Sequence, residues 1–204
     1  MTLQDSRGNS NNNNMDSALQ LYLQRLLEET LDLDQLQIVP SKAAFRLTLT
    51  VQIINNDGNL RDACLTACTA ALADTQLPID TVWQDGTVFL KDNDVTGSAT
   101  AAALCSFKMP ILPVPLSMGI WHNDASTRND TITSAVLLVD PAADEEQALK
   151  STITIVVNAN EPTEILSLQM SGLVAVTKTE LALATKLAAG RAKELRDVLV
   201  PSSK

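Results

Sequence analysis

The run Asn56-Asp57-Gly58-Asn59-Leu60-Arg61-Asp62-Ala63-Cys64 constrains this chain more than any other, because an alternating strand pattern gives way there to a helical one. Before it, Phe45, Leu47, Leu49, Val51 and Ile53 alternate with Ala44, Arg46, Thr48, Thr50 and Gln52, the two-residue period of a strand with one buried face. Asn55 to Gly58 supply turn chemistry, since Asn, Asp and Gly tolerate positive φ and the Asp57 carboxylate can accept from amides ahead of it. Asn59 is the expected N-cap of a helix over 60–73. In that helix Ala63, Cys64, Ala67, Cys68, Ala70 and Ala71 form a small-residue side able to lie close against a sheet. Pro78 closes the unit.

A chain of 204 residues with 45% apolar content is enough for one core of ordinary size. Aromatics make up only 3%, so the core is expected to be aliphatic and alanine-based, with few exposed rings to stack on unpaired bases. The formal charge of −9, from 15 basic and 24 acidic residues, also argues against stand-alone binding of nucleic acid, which needs concentrated Lys and Arg. Cys64, Cys68 and Cys105 lack the partner His or Cys of a metal knuckle and read as small buried hydrophobes. The N-terminus has no apolar leader and no run approaches membrane length, so an intracellular, reducing location is the expectation.

Residues 1–14, ending in Asn11-Asn12-Asn13-Asn14, read as a disordered polar tail, and 15–200 as one domain. Asp16 or Ser17 is the expected cap of an amphipathic helix to about Leu31, with Leu19, Tyr22, Leu23, Leu26 and Leu27 on its apolar face. A hairpin is expected around Asp85-Gly86. Pro110, Pro113 and Pro115 forbid a helix and predict an edge-like entry into a strand over 114–120, after which 122–130 read as a loop. Ile132 to Val139 read as a strand ended by Asp140-Pro141, 144–149 as a helical turn, and 153–157 with 165–170 as an antiparallel pair. The last helix is expected over 179–199, burying Leu181, Ala184, Leu187, Ala188, Ala192, Leu195 and Val198. This order fits an α+β or mixed α/β fold with helices packed on a sheet.

Three stretches in order carry a resemblance over roughly 16–200: the Asn56 to Cys64 run with Gln76-Leu77-Pro78; Leu137-Leu138-Val139-Asp140-Pro141 followed by Glu145-Glu146; and Thr152-Ile153-Thr154-Ile155-Val156-Val157. Together they resemble the RNase PH-like subunits of the eukaryotic RNA exosome ring. The resemblance implies an RNase PH-like, ribosomal protein S5 domain 2-like fold, helices on a mixed sheet. It implies an N-terminally incomplete domain, because such subunits carry a further β-rich stretch where this chain has a polar tail. Its structural motif falls on Asp57, Gly58, Asn59 and Asp62. It further implies partners: other RNase PH-like subunits in a hetero-hexameric ring, RNA-binding cap subunits, RNA threaded through the ring, and no membrane. The implied compartments are nucleus, nucleolus and cytoplasm.

Catalytic relatives attack the RNA phosphodiester with inorganic phosphate, using two acids six positions apart after the strand that corresponds to Val136–Val139. Those positions fall here on Glu146 and Thr152, and a neutral hydroxyl can neither hold a cation nor serve as a carboxylate base. The stretch matching their phosphate-binding loop, Met170-Ser171-Gly172-Leu173-Val174, is apolar and poor in glycine. The implied chain is a non-catalytic ring subunit with no catalytic residue, cofactor or metal. The alternatives are an active phosphorolytic 3′-to-5′ exoribonuclease using Glu146 with an acid from elsewhere, and an unrelated oligomeric interaction domain.

Single residues have plainer readings too. Glu145 and Glu146 fit a solvated acidic turn, His122 a surface loop. Asp57 and Asp62 suit a turn and a helix start, where carboxylates complement orphan amides. Arg25, Arg46, Arg61 and Arg128 lie on separate elements and meet phosphates only if folding gathers them. Trp83 and Trp121 fit a subunit contact or the core equally.

Overall fold

A computed structural model describes residues 2–5, 13–78, 81–84, 86–90, 104–122, 135–173 and 175–200. In chain order the elements are β1 (Thr2–Asp5), α1 (Asn13–Thr30), a 3₁₀ turn (Leu33–Leu36), β2 (Gln37–Val39), β3 (Ala43–Ala44), β4 (Thr50–Ile53), α2 (Leu60–Ala73) and β5 (Gln76–Pro78). They continue with β6 (Thr81–Gln84), β7 (Thr87–Leu90), β8 (Leu104–Ser106), β9 (Pro113–His122), β10 (Ala135–Val139), α3 (Ala143–Ala148), β11 (Ser151–Asn158), β12 (Ile165–Gly172) and α4 (Lys178–Leu199).

The centre is a four-stranded antiparallel sheet in the order β10-β9-β11-β12. Because side chains alternate across a strand, its two faces carry different residues. Leu112, Val114, Leu116, Met118 and Ile120 from the β9 region join Ile153, Ile155 and Val157 of β11 on one face, where Ala184, Ala188 and Ala192 of α4 pack. Val156 points to the other face, into Leu23, Leu26 and Leu27 of α1 and Cys64, Leu65, Cys68 and Leu72 of α2. Helices therefore cover both faces, and the expected α+β class holds. The pair β1–β4 is parallel, while β2–β3, β5–β8 and β6–β7 are antiparallel, so the strands are mixed in direction as expected. Gln84 faces Thr87 across the expected hairpin; residues 79, 80 and 85 lie outside the described residues.

Several expectations are corrected. Thr2–Asp5 is no tail but a strand on β4, and Asn13 and Asn14 open α1, placing Asp16 and Ser17 inside the helix instead of at its cap; 6–12 lie outside the described residues. The segment before the turn is not one strand: its start pairs with the β2 region, where the Phe45 amide donates to the Leu36 carbonyl at 2.8 Å, and 50–53 form β4, although exposure alternates from Phe45 onward as the pattern requires. On α2 it is Cys64, Leu65, Cys68 and Leu72 that are buried, while Ala63, Ala67 and Ala71 face outward: larger apolar side chains gain more from burial than alanine does. On α4 Ala184, Ala188 and Ala192 are buried, but Leu187 and Val198 are 38% and 72% exposed. A stripe of alanines brings the helix axis close to the sheet, with Leu195 and Leu199 half-buried against the same core and Leu187 and Val198 on the outer side.

The edge-like reading of Pro113 and Pro115 is half right. β9 is an inner strand, yet β10 pairs only with residues 118–122. The Pro113 carbonyl accepts from Thr69 Oγ1 at 3.1 Å, so odd residues of β9 aim their backbone groups away from β11. Pro113 and Pro115 thus place their missing N–H groups on the side that β10 does not reach, where no ladder needs a donor. His122 ends this strand and does not open a loop; 123–134 lie outside the described residues.

Candidate functional site

The turn before α2 is built by Asn56, whose Oδ1 accepts from the Gly58 amide at 3.1 Å; the role expected of Asp57 belongs to its neighbour. Gly58 has φ +97°, and a Cβ there would lie 2.5 Å from the Ala143 nitrogen and 2.7 Å from the Pro141 carbonyl oxygen. Only glycine allows this turn to sit flat on the chain after β10. The contact is sealed by the Ala143 amide donating to the Asp57 carbonyl at 2.9 Å.

Asn59 precedes α2 in the left-handed region, φ 45°, and makes no side-chain cap. Its Nδ2 donates instead to Asp62 Oδ2 at 3.1 Å and to Asp140 Oδ1 at 2.6 Å, and its backbone N–H donates to Glu146 Oε1 at 2.9 Å. One asparagine therefore holds carboxylates from the helix start, the end of β10 and α3. The reason is geometric: Asp140, itself at φ 56°, turns the chain out of β10 and back over the turn.

Asp62 is buried and reaches the sheet. Its Oδ2 accepts from the Ser117 amide and its Oδ1 from Ser117 Oγ at 2.7 Å; that hydroxyl also meets Thr154 Oγ1 at 2.9 Å. Burial pushes the Asp62 carboxyl above its ordinary value, the Ser117 and Asn59 donors pull the other way, and the nearby Asp140 charge pushes it further up. Where a carboxylate complementing the orphan amides of the helix start was expected, the Asp62 carboxylate accepts instead from Ser117 of β9, whose amide lies just beyond the β10 ladder, and from the Asn59 side chain. Asp140 closes that ladder by donating its amide to the Ser117 carbonyl at 3.1 Å.

Of the two positions matching the catalytic acids, Glu146 is the acceptor for Asn59, and Thr152 Oγ1 pairs with Ser171 Oγ at 2.7 Å across β11 and β12. Glu145 Oε2 accepts from the Ala142 amide at 2.8 Å at the head of α3. Met170 to Gly172, in the stretch matching a phosphate loop, finish β12; Val174 lies outside the described residues. Among the described residues no group of three or more His, Cys, Asp and Glu side chains is placed to hold a metal ion.

Elsewhere, Arg61 Nη1 donates to Gln169 Oε1 at 2.6 Å and its guanidinium lies 4.9 Å from the centre of the Tyr22 ring. Arg25 stands on α1 and Arg46 in the link between β3 and β4, and Arg128 lies outside the described residues. Trp83 is half-buried under Lys42 Nζ at 4.8 Å, and Trp121 is half exposed. Cys64 and Cys68 are buried, the Cys68 thiol pushed up to about 11 by burial, whereas Cys105 is exposed on β8, a correction to its expected burial. No helix among the described residues is long and apolar enough to cross a membrane.

Ser117 and Thr154 were not singled out by sequence reasoning. A signal existed: each is a polar residue in an apolar strand, with Pro115 and Gly119 buried on either side of Ser117 and Val156 buried two residues after Thr154.

Two profiles of one family match this chain in order, the 3′ exoribonuclease (RNase PH) family, domain 1 over residues 2–78 and domain 2 over 128–191, together more than half of it. Exosome complex component RRP45 of Danio rerio is 27% identical over 193 residues, covering 91% of this chain and 44% of that protein. Exosome complex component Rrp42 of Methanosarcina mazei is 28% identical over 166 residues, covering 81% and 51%. The chain thus spans about half the length of the curated relatives it matches. An archaeal exosome core structure shares the fold with a TM-score of 0.64 at 20% identity, over 97% of this chain and 67% of that one. The chain belongs to the RNase PH family, and the Asn56–Glu146 seam joins its two matched parts.

Proposed function

We propose that this RNase PH family member is a non-catalytic structural subunit of an RNA exosome core ring, supporting 3′-to-5′ RNA processing and degradation, including ribosomal RNA maturation and messenger RNA decay. The observation that carries the reading is Thr152: a hydroxyl bonded to Ser171 stands where the resemblance expects the second acid, so Glu146 has no carboxylate partner from that position to help hold a cation or a proton against a scissile phosphate. Glu146 supports it, since its carboxylate is engaged by the Asn59 amide.

The partners in this reading are other RNase PH-like subunits in a hetero-hexameric ring, RNA-binding cap subunits, and RNA threaded through the ring; the compartments are nucleus, nucleolus and cytoplasm. The narrower assignment within the ring, to the subunit known as ribosomal RNA-processing protein 43, rests on the wording of Asn56 to Cys64 and of Leu137 to Pro141. The net charge of −9 fits a subunit that leaves RNA contacts to basic neighbours.

The test is phosphorolysis by the full chain, alone and co-purified with whatever ring subunits it retains from extract. Single-stranded RNA with inorganic phosphate should release no nucleoside diphosphate attributable to this chain. Release that Glu146→Gln abolishes would establish the active exoribonuclease instead. Co-purification of RNase PH-like chains is the second expected result, and a solitary stable monomer in extract counts against the ring.

A further inference from the structure

We infer that Asn59 and Glu146 form a latch that holds the α3 segment against the head of α2, and that the Glu146 carboxylate acts there as a hydrogen-bond acceptor, independently of any ring assembly. The two sides of the seam come from distant parts of the chain. The Asn56–Asn59 turn supplies the donor N–H of Asn59 and the acceptor carbonyl of Asp57; the segment after β10 supplies Glu146 Oε1 at 2.9 Å and the Ala143 amide at 2.9 Å. These bonds run in opposite directions across the seam and bracket Gly58, which has no room for a side chain against Ala142 and Ala143. A third bond, from Asn59 Nδ2 to Asp140 Oδ1 at 2.6 Å, ties the same turn to the end of β10.

Asn59 suits this hub because its φ of 45° suits Asn and Gly better than most residues, and its amide offers donors where three carboxylates converge. Asp62 and Asp140 share its Nδ2, while Glu146 takes its backbone N–H. Glu146 is the arm of the latch that costs least to probe, since it lies at the surface.

Amide hydrogen exchange on the full chain decides it, comparing the native protein with Glu146→Gln, Glu146→Ala and Asn59→Gly. A glutamine Oε1 still accepts from Asn59, so Glu146→Gln should keep native protection at the amides of residue 59 and Ala143. Glu146→Ala should lose at least about tenfold at those two amides while Met118 and Ile155 keep theirs, the size expected for a bond to a charged acceptor opening locally. Asn59→Gly keeps the backbone donor and the positive φ, so it should retain the residue 59 amide bond while freeing Asp140. Native protection in Glu146→Ala would overturn the latch. Equal loss in Glu146→Gln and Glu146→Ala would overturn it as well, because the negative charge and not the acceptor would then be what matters. Should Glu146→Ala fail to fold, native protection in Glu146→Gln with an intact residue 59 amide in Asn59→Gly upholds the latch, and loss at that amide in either sinks it.

Discussion

The two faces of the central sheet are both covered by helix, but they are held by different physics. Under α4 the face is mainly apolar: aliphatic side chains of β9 and β11 meet three buried alanines. Under α2 the same two strands present Ser117 and Thr154, and a buried carboxylate descends from the helix to meet them. The apolar face is governed by volume, since tightly packed interiors respond to lost or added methylenes. The polar face is governed by hydrogen-bond pairing, because a buried donor without an acceptor costs more than a made bond gains. A helix can thus be fixed to a sheet by shape on one side and by chemistry on the other of the same four strands.

The contrast breaks most visibly if it is attacked from the apolar side. Ile155→Ala should lower unfolding free energy by about 3–4 kcal/mol in chemical denaturation, the size of an aliphatic cavity in a core. If that variant is nearly neutral, the α4 face is looser than its burial implies. Next in size, Asp62→Ala should cost about 2–3 kcal/mol by stranding the Ser117 amide and hydroxyl, although it removes no methylene-rich volume. A loss below 1 kcal/mol would mean that solvent reaches the pair, and the faces would not differ in kind.

Acid titration sharpens the comparison with a smaller effect. The Asp62 carboxyl ionises above its ordinary value of 3.8 in the folded chain, with burial the main cause, so its contribution is full below 3.8 and is lost as pH rises through the raised folded value. The native protein should therefore gain stability relative to Asp62→Asn as pH falls from 7 towards 4, read as the difference between paired thermal melts. A difference that moves the other way would show that the Ser117 and Asn59 donors outweigh burial. The smallest effect belongs to the outer side of α4: Val198→Ala should stay within about 0.5 kcal/mol, because that side chain is 72% exposed. A larger loss would mean that the alanine stripe is not the whole contact.

How much of this was legible in the sequence follows the same division. Element types and order came through because period and turn chemistry are local: the Asp85-Gly86 hairpin, the β11–β12 pair and α4 stand where their residues put them. The side of α2 that is buried came through only in part: Cys64 and Cys68 are buried as expected, but Leu65 and Leu72 join them in place of Ala63, Ala67 and Ala71, because small size was weighted above apolar area. The tail reading of 1–14 failed at Thr2–Asp5, where a polar segment is recruited by pairing with β4, which no local pattern announces. In the candidate site, Asp57, Gly58, Asn59 and Asp62 were singled out as one turn and helix start, but the bonds they make there were not foreseen. Ser117, Asp140 and Glu146 lie 55 to 87 positions away, and only the tertiary fold brings them to one seam.

Pro113 and Pro115 have a consequence for how the chain avoids unwanted company. Among the described residues, half of one flank of β9 has no neighbouring strand, and such a flank normally invites a stranger to zip on. Two successive outward positions there carry no proton to share, and the third, Ser117, has already given its own to Asp62. An intruding strand would meet carbonyls with nothing to reciprocate its own. The same imino residues that looked like an obstacle to folding thus act as a guard rail, steering whatever assembles with this protein towards its other surfaces.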